Sequence, residues 1–199
     1  MEVILIPGLW LDGSSWDRVG AAIGRAGHNS RPITLPGMES READRSGIDL
    51  RDHVAAVVAA IDECNQDDGR VLIVAHSAGG GVAHAAVDAR PDRVARVIYV
   101  GGFPTPDGAA IVGDFPTDGP DIPLPDWSDF DKADLVGLDD AARESFRQKA
   151  IPAPASLTTA VQRLSNDRRY EVPVTLICTE FSGEMLQGWV EQGLEPVAE

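Results

Sequence analysis

The chain has 199 residues, of which 17 are Lys or Arg and 32 are Asp or Glu, so its formal charge is −15. This length predicts one domain, and a composition of 43% hydrophobic and 25% charged residues is typical of a globular protein, not a disordered or fibrous one. The acidic charge predicts no binding to nucleic acid or to anionic membranes, because their phosphate groups would repel this chain.

Short apolar runs alternate with helical patterns in the first half of the chain. In chain order the pattern predicts a strand at 3–6, a helix at 15–26, a strand at 30–35, a helix at 50–61 with Asp49 as its N-cap, a strand at 71–75, a helix at 79–89 and a strand at 94–100. This alternation predicts an α/β fold in which crossover helices cover both faces of a mostly parallel sheet.

The pattern changes in the second half of the chain. Residues 103–171 contain most of the prolines and two helical patches, at 140–150 and 156–164, without an obvious strand. A segment of this length between two strands predicts a cap or lid at the carboxyl edge of the sheet. The alternative is a surface insertion without a role.

A strand at 173–178 and a helical pattern from 183 onward complete the core, which we assign to residues 1–102 and 172–199. Because the last periodic stretch has no capping residue, we expect the final strand and helix of the core to be missing from the 199 residues.

Several classes of protein and site are not indicated. No apolar stretch approaches the about 20 residues of a membrane span, and the N-terminus has no basic region before Pro7-Gly8, so we expect a cytoplasmic location. Cys64 and Cys178 predict two reduced, buried thiols. We find no metal or cofactor motif and expect a small-molecule substrate as the partner. The sequence leaves the oligomeric state open, with a homodimer as one alternative.

The segment Ala75-His76-Ser77-Ala78-Gly79 carries the strongest chemical signal. It follows the best strand pattern and precedes a helix of small residues, which is the small-x-Ser-x-Gly pattern of a nucleophile elbow. A tight strand-to-helix turn lifts the serine hydroxyl above the sheet, and the residues two places away on each side must be small. We therefore predict Ser77 as a nucleophile, with a simple helix N-cap as the alternative.

Three segments carry a resemblance to the α/β-hydrolase superfamily, and within it to the small plant esterases, hydroxynitrile lyases and their bacterial relatives. They are residues 6–16, similar to the oxyanion loop of that group, the Leu-Pro-Gly turn at 35–37, and the elbow. The resemblance covers residues 3 to about 103 and implies an oxyanion hole made by the backbone N–H groups of Leu9 and Ala78. We predict further pocket residues at Trp10, His76 and Trp127.

The resemblance also implies a triad in the chain order serine, acid, histidine. The acid is expected just past the strand that ends at Cys178, where similar plant enzymes carry an aspartate near the position of Phe181. Glu180 is the best substitute, with Glu184 behind it. No histidine follows this acid in the sequence, and we expect the catalytic base to lie outside the 199 residues.

Three functions therefore compete. The first is a serine hydrolase that cleaves a small ester or related acyl compound. The second is a hydroxynitrile lyase-like carbon–carbon lyase, although Gly8 stands where those enzymes carry a threonine. The third is a ligand-binding protein on the same scaffold without catalysis.

Overall fold

The computed structural model describes residues 1–64, 69–132, 134–179 and 182–192, except the side chain of residue 190. The strands are β1 (Glu2–Ile6), β2 (Asn29–Pro32), β3 (Val71–His76), β4 (Val94–Val100), β5 (Asp121–Ile122), β6 (Ala153–Pro154) and β7 (Val174–Ile177). The α-helices are α1 (Asp17–Arg25), α2 (Leu50–Asp62), α3 (Gly79–Ala89), α4 (Asp140–Lys149) and α5 (Gly183–Glu191).

The main sheet has five parallel strands in the order β2-β1-β3-β4-β7. The central strands β1 and β3 are almost continuously apolar, as expected for strands that are covered on both faces. Their register places Ile6 beside Ala75, and His76 beside Val100 of β4. The carboxyl ends of β1, β3 and β4 therefore meet at one edge, where Ser77 follows β3.

Alternate side chains of the central strands enter two separate apolar clusters. On one face Val3, Leu5 and Val74 pack with Trp16 and with Ile23 of α1. On the other face Ile4, Ile6 and Ile73 belong to the larger cluster, which includes Val57 and Ile61 of α2 and Val82 and Val87 of α3. Helices thus cover both faces, and the predicted α/β class is confirmed.

The N-terminus of α2 shows how local sequence sets an element boundary. The Asp49 side chain accepts a hydrogen bond from the Arg51 amide, and Asp52 accepts one from the Asp49 amide at 2.8 Å, which completes a capping box. This reciprocal capping satisfies amide groups that have no partner within the helix. The expected N-cap at Asp49 is confirmed.

The segment 103–171 contains α4, the two-stranded antiparallel pair of β5 and β6, and short 3-10 turns. The predicted helix at 156–164 is wrong, since only Ala155–Thr158 forms a 3-10 turn. Beyond it the chain is extended, because the buried Gln162 donates its backbone amide to Ala109 and its side-chain amide to Gly81. These long-range contacts prevail over the local helical pattern. The role of the segment as a cap stays a prediction.

Two smaller expectations also need correction. The second strand ends at Pro32 and not at residue 35, because after Ile33 donates to Leu5 the chain turns away through Leu35-Pro36-Gly37. Cys64 is buried as expected, whereas Cys178 is only half-buried; both thiols are free. Among the described helices none has the length and apolarity that a membrane span requires.

Candidate active site

Ser77 lies at the bend between β3 and α3. Its φ of 49° is in the left-handed region, which costs a non-glycine residue about 1–2 kcal/mol. The bend is held by two backbone hydrogen bonds: the Ser77 amide donates to Val100 at 3.0 Å, and its carbonyl accepts from Gly80 at 2.9 Å. Ser77 is exposed although β3 is buried, so the strained turn presents its side chain to solvent.

Three glycines allow other backbone segments to approach this bend. A Cβ on Gly79 would lie 2.5 Å from the carbonyl oxygen of Pro7, and one on Gly8 would lie 3.0 Å from Cβ of Ser77. A Cβ on Gly102 would lie 2.8 Å from the carbonyl oxygen of Ser77. These glycines let the loop after β1 and the loop after β4 enclose the elbow from two sides.

Leu9 and Ala78 line one cavity together with Ser77. Over the described part of the chain, neither the Leu9 nor the Ala78 amide N–H donates a hydrogen bond. Both amides are therefore available to an external acceptor, as the predicted oxyanion hole requires. Their role stays a prediction.

Two cavities adjoin at Ser77, with volumes of about 470 Å³ and 500 Å³. The structure places the three predicted pocket residues Trp10, His76 and Trp127 in the wall of the larger one, together with Ser77. His76 has a pKa below its ordinary value because it is removed from water. The neutral imidazole therefore predominates in this wall at neutral pH.

Trp10 joins the loop after β1 to segment 103–171. Its Nε1–H donates to the carbonyl of the buried Ile122 at 3.1 Å, and its carbonyl accepts from Ile151 at 3.0 Å. Its ring contacts Phe115 and Phe130 edge-to-face at 5.3 Å and 5.9 Å. Like Ser77, Trp10 has a positive φ, 63°. Trp16 instead packs in the smaller core cluster, as expected from the sequence.

No hydrogen bond joins a histidine side chain to Ser77 within the described part of the chain, and two of the histidines have other partners. His53 Nε2 donates to the carbonyl of Pro36, and His84 Nδ1 donates to that of Thr105, each at 2.9 Å. Burial lowers the pKa of both side chains below the usual histidine value.

The structure describes one of the two candidate acids. Glu180 lies outside the described residues, and its predicted role stays a prediction. Glu184, the second candidate, is exposed in the first turn of α5. In the described ranges, no three His, Cys, Asp or Glu side chains come together as a metal site would require.

Sequence reasoning missed two contributors to the site. Gly102 packs on the Ser77 backbone, and its position directly after the strand next to β3 is the signal that could have found it. Asp134 lines both cavities, yet no local pattern in the sequence indicates that it lies there.

A mostly parallel sheet with helices on both faces and a serine at a strained strand-to-helix bend is typical of the α/β-hydrolase fold. The chain matches the model of the alpha/beta hydrolase family over residues 3–199 and belongs to that family.

Relatives agree with this assignment. Methylesterase 7 of Arabidopsis thaliana is 28% identical over 106 residues, which cover 51% of this chain and 40% of that protein. Lipase LipV of Mycobacterium tuberculosis is 32% identical over 118 residues, which cover 55% of this chain and 40% of that protein. The matches thus span less than half of these relatives. The crystal structure of methylesterase MES16 from Arabidopsis superposes with a TM-score of 0.71 at 16% identity, covering 98% of this chain and 86% of that one, and shows the same fold.

Proposed function

We propose that this protein is a serine hydrolase that cleaves a small carboxylic ester. The observation that carries the proposal is the exposed Ser77 at a left-handed bend, next to two amide groups without partners among the described residues. A strained conformation is retained where the surrounding structure fixes it, and such positions cluster at functional sites. Relatives that are named as a methylesterase and a lipase support the reaction class.

In the proposed reaction, the Ser77 Oγ attacks the carbonyl carbon of the ester while a general base takes the hydroxyl proton. The negative oxygen of the tetrahedral intermediate accepts hydrogen bonds from the Leu9 and Ala78 amides, each worth about 3–4 kcal/mol of transition-state stabilisation. The C–O bond then breaks, the alcohol leaves with the proton, and water hydrolyses the acyl-serine. Glu180 is proposed to orient this base. We assign the role of general base to none of the histidines in residues 1–199.

The lyase alternative receives less support. It would place a threonine hydroxyl at the position of Gly8, where a Cβ would lie 2.9 Å from His76 Nδ1 and 3.0 Å from Ser77 Cβ. The backbone of this loop is therefore fitted to glycine. Release of cyanide from a cyanohydrin would favour the lyase over the esterase.

The test compares hydrolysis of p-nitrophenyl acetate by the full-length protein and by its Ser77→Ala variant. We expect kcat/KM to fall at least about a thousandfold, because the nucleophile is removed. Ser145→Ala is the matched control, since Ser145 is exposed on α4 and lines neither cavity. Equal rates for Ser77→Ala and Ser145→Ala would reject the proposal, and binding of the ester without turnover by the wild type would favour the ligand-binding alternative.

A further inference from the structure

The two cavities over Ser77 share part of their walls. Leu9, Trp10, Ser77, Phe130 and Asp134 line both the cavity of about 470 Å³ and the cavity of about 500 Å³. An ester bond at Ser77 could therefore extend one half of the substrate into each cavity. The chemistry of the walls then determines which groups each half carries.

The larger cavity has aromatic walls. Trp10, Trp127, Phe130 and Phe146 all line it. Trp127 contacts Phe130 at a ring-centroid distance of 5.5 Å and Phe146 at 5.8 Å, and the Trp10 indole is fixed by its buried hydrogen bond. Aromatic rings attract cations through the negative potential of their faces. In this structure, the guanidinium of Arg147, which is not among the wall residues, already lies 5.2 Å from the Trp127 ring centroid.

The charge of the walls has one sign. Asp134 is the single carboxylate among the described residues that line the two cavities, and no lysine or arginine is among them. His76 adds no positive charge at neutral pH, because burial lowers its pKa. The overall charge of −15 also favours the approach of a cation over that of an anion.

Asp134 and four aromatic side chains share the wall of the larger cavity, and a carboxylate together with aromatic rings can recognise an alkylammonium group. We propose that the larger cavity holds a positively charged alcohol half of the substrate, an alkylammonium ester, and that Asp134 is the residue that determines this specificity. The inference rests on the proposed function, since it assigns a substrate class to the reaction at Ser77.

The kinetic test uses two acetate esters of the same shape, acetylcholine and the uncharged 3,3-dimethylbutyl acetate. We expect the full-length protein to show a kcat/KM about tenfold higher for acetylcholine. Asp134→Asn should reduce this ratio to about threefold, which the aromatic walls would still supply. Asp129→Asn is the control, because Asp129 is a nearby exposed carboxylate that lines neither cavity, and it should keep the tenfold ratio. A ratio of one or less in the wild type, or an unchanged ratio in Asp134→Asn, would overturn the inference.

A binding measurement separates this inference from the proposed function. Choline and 3,3-dimethylbutanol are titrated into Ser77→Ala protein while tryptophan fluorescence is followed. The cation site predicts that choline binds more tightly than the uncharged alcohol and that Asp134→Asn removes most of the difference. If choline shows this preference while p-nitrophenyl acetate is not hydrolysed by the wild type, the proposed hydrolase fails and the cation site stands. If p-nitrophenyl acetate is hydrolysed but choline has no advantage, the cation site fails and the hydrolase stands.

Discussion

Replacing Gly79 by alanine tests how the elbow is packed. The new Cβ would lie 2.5 Å from the carbonyl oxygen of Pro7 and 3.1 Å from Cγ2 of Ile6. The oxygen belongs to the backbone that enters the loop with Leu9, so it cannot rotate away as a side chain would. To reach an ordinary contact of 3.4 Å, helix α3 and this loop must separate by about 0.9 Å.

The cost follows from two opposing effects. Inserting a methyl group into a close contact typically destabilises a protein by about 1–3 kcal/mol. Alanine is the better helix former by up to about 1 kcal/mol, which offsets part of this cost at the first residue of α3. The expected net loss in the free energy of unfolding is about 1–2 kcal/mol. Hydrolysis should also slow, since the displaced loop carries the Leu9 amide.

Urea denaturation of the full-length protein measures this change, and Gly24→Ala is the matched control. Gly24 lies in α1, and a Cβ at this position would have nothing within 4 Å, so its substitution should raise the free energy of unfolding by about 0.5–1 kcal/mol. If Gly79→Ala proves as stable as Gly24→Ala, the close approach of Pro7 to the helix is refuted.

Three further predictions concern the fold around the site. Trp10→Phe removes the buried hydrogen bond from the indole to the Ile122 carbonyl and should lower the free energy of unfolding by about 0.5–1.5 kcal/mol; an unchanged urea midpoint would contradict this. Asp49→Ala removes the capping box of α2 and should cost about 0.5–2 kcal/mol, whereas Asp44→Ala in the preceding loop should cost less in the same assay. Because burial lowers the pKa of His53 below 6.5, the unfolded chain takes up a proton more readily than the folded one. Stability should therefore be full above pH 6.5 and decline as pH falls through the folded-state value. His53→Gln should reduce this decline, with His76 and His84 supplying the remainder, and an identical decline in that variant would contradict the assignment.

Elements with complete local signals were predictable from the sequence. The helix at 79–89 and the strand at 94–100 have the predicted bounds, and Asp49 caps α2 as expected. In each case a continuous apolar pattern and a local stop or cap indicate the same structure. Local preference and tertiary packing agree at these positions.

Where long-range contacts determine the local structure, that structure could not be predicted from the sequence pattern. The helical pattern at 156–164 is overridden because Gln162 is drawn into buried hydrogen bonds with residues more than 50 positions away. Long-range contacts also decide which residues of the candidate site could be predicted from the sequence. The prediction at Ser77 uses one short segment, whereas Gly102 packs on Ser77 and Asp134 shares its cavities only through the fold.

The central claim is that Ser77 is a nucleophile at an accessible elbow, and covalent labelling tests it most directly. The full-length protein is treated with a neutral fluorophosphonate ester, and the modified residue is located by mass spectrometry of its peptides. We predict a single phosphonylated serine, Ser77, and complete loss of labelling in Ser77→Ala but not in Ser145→Ala. An unmodified Ser77 under conditions that label a reference serine esterase, or equal labelling of Ser77→Ala, would contradict the account.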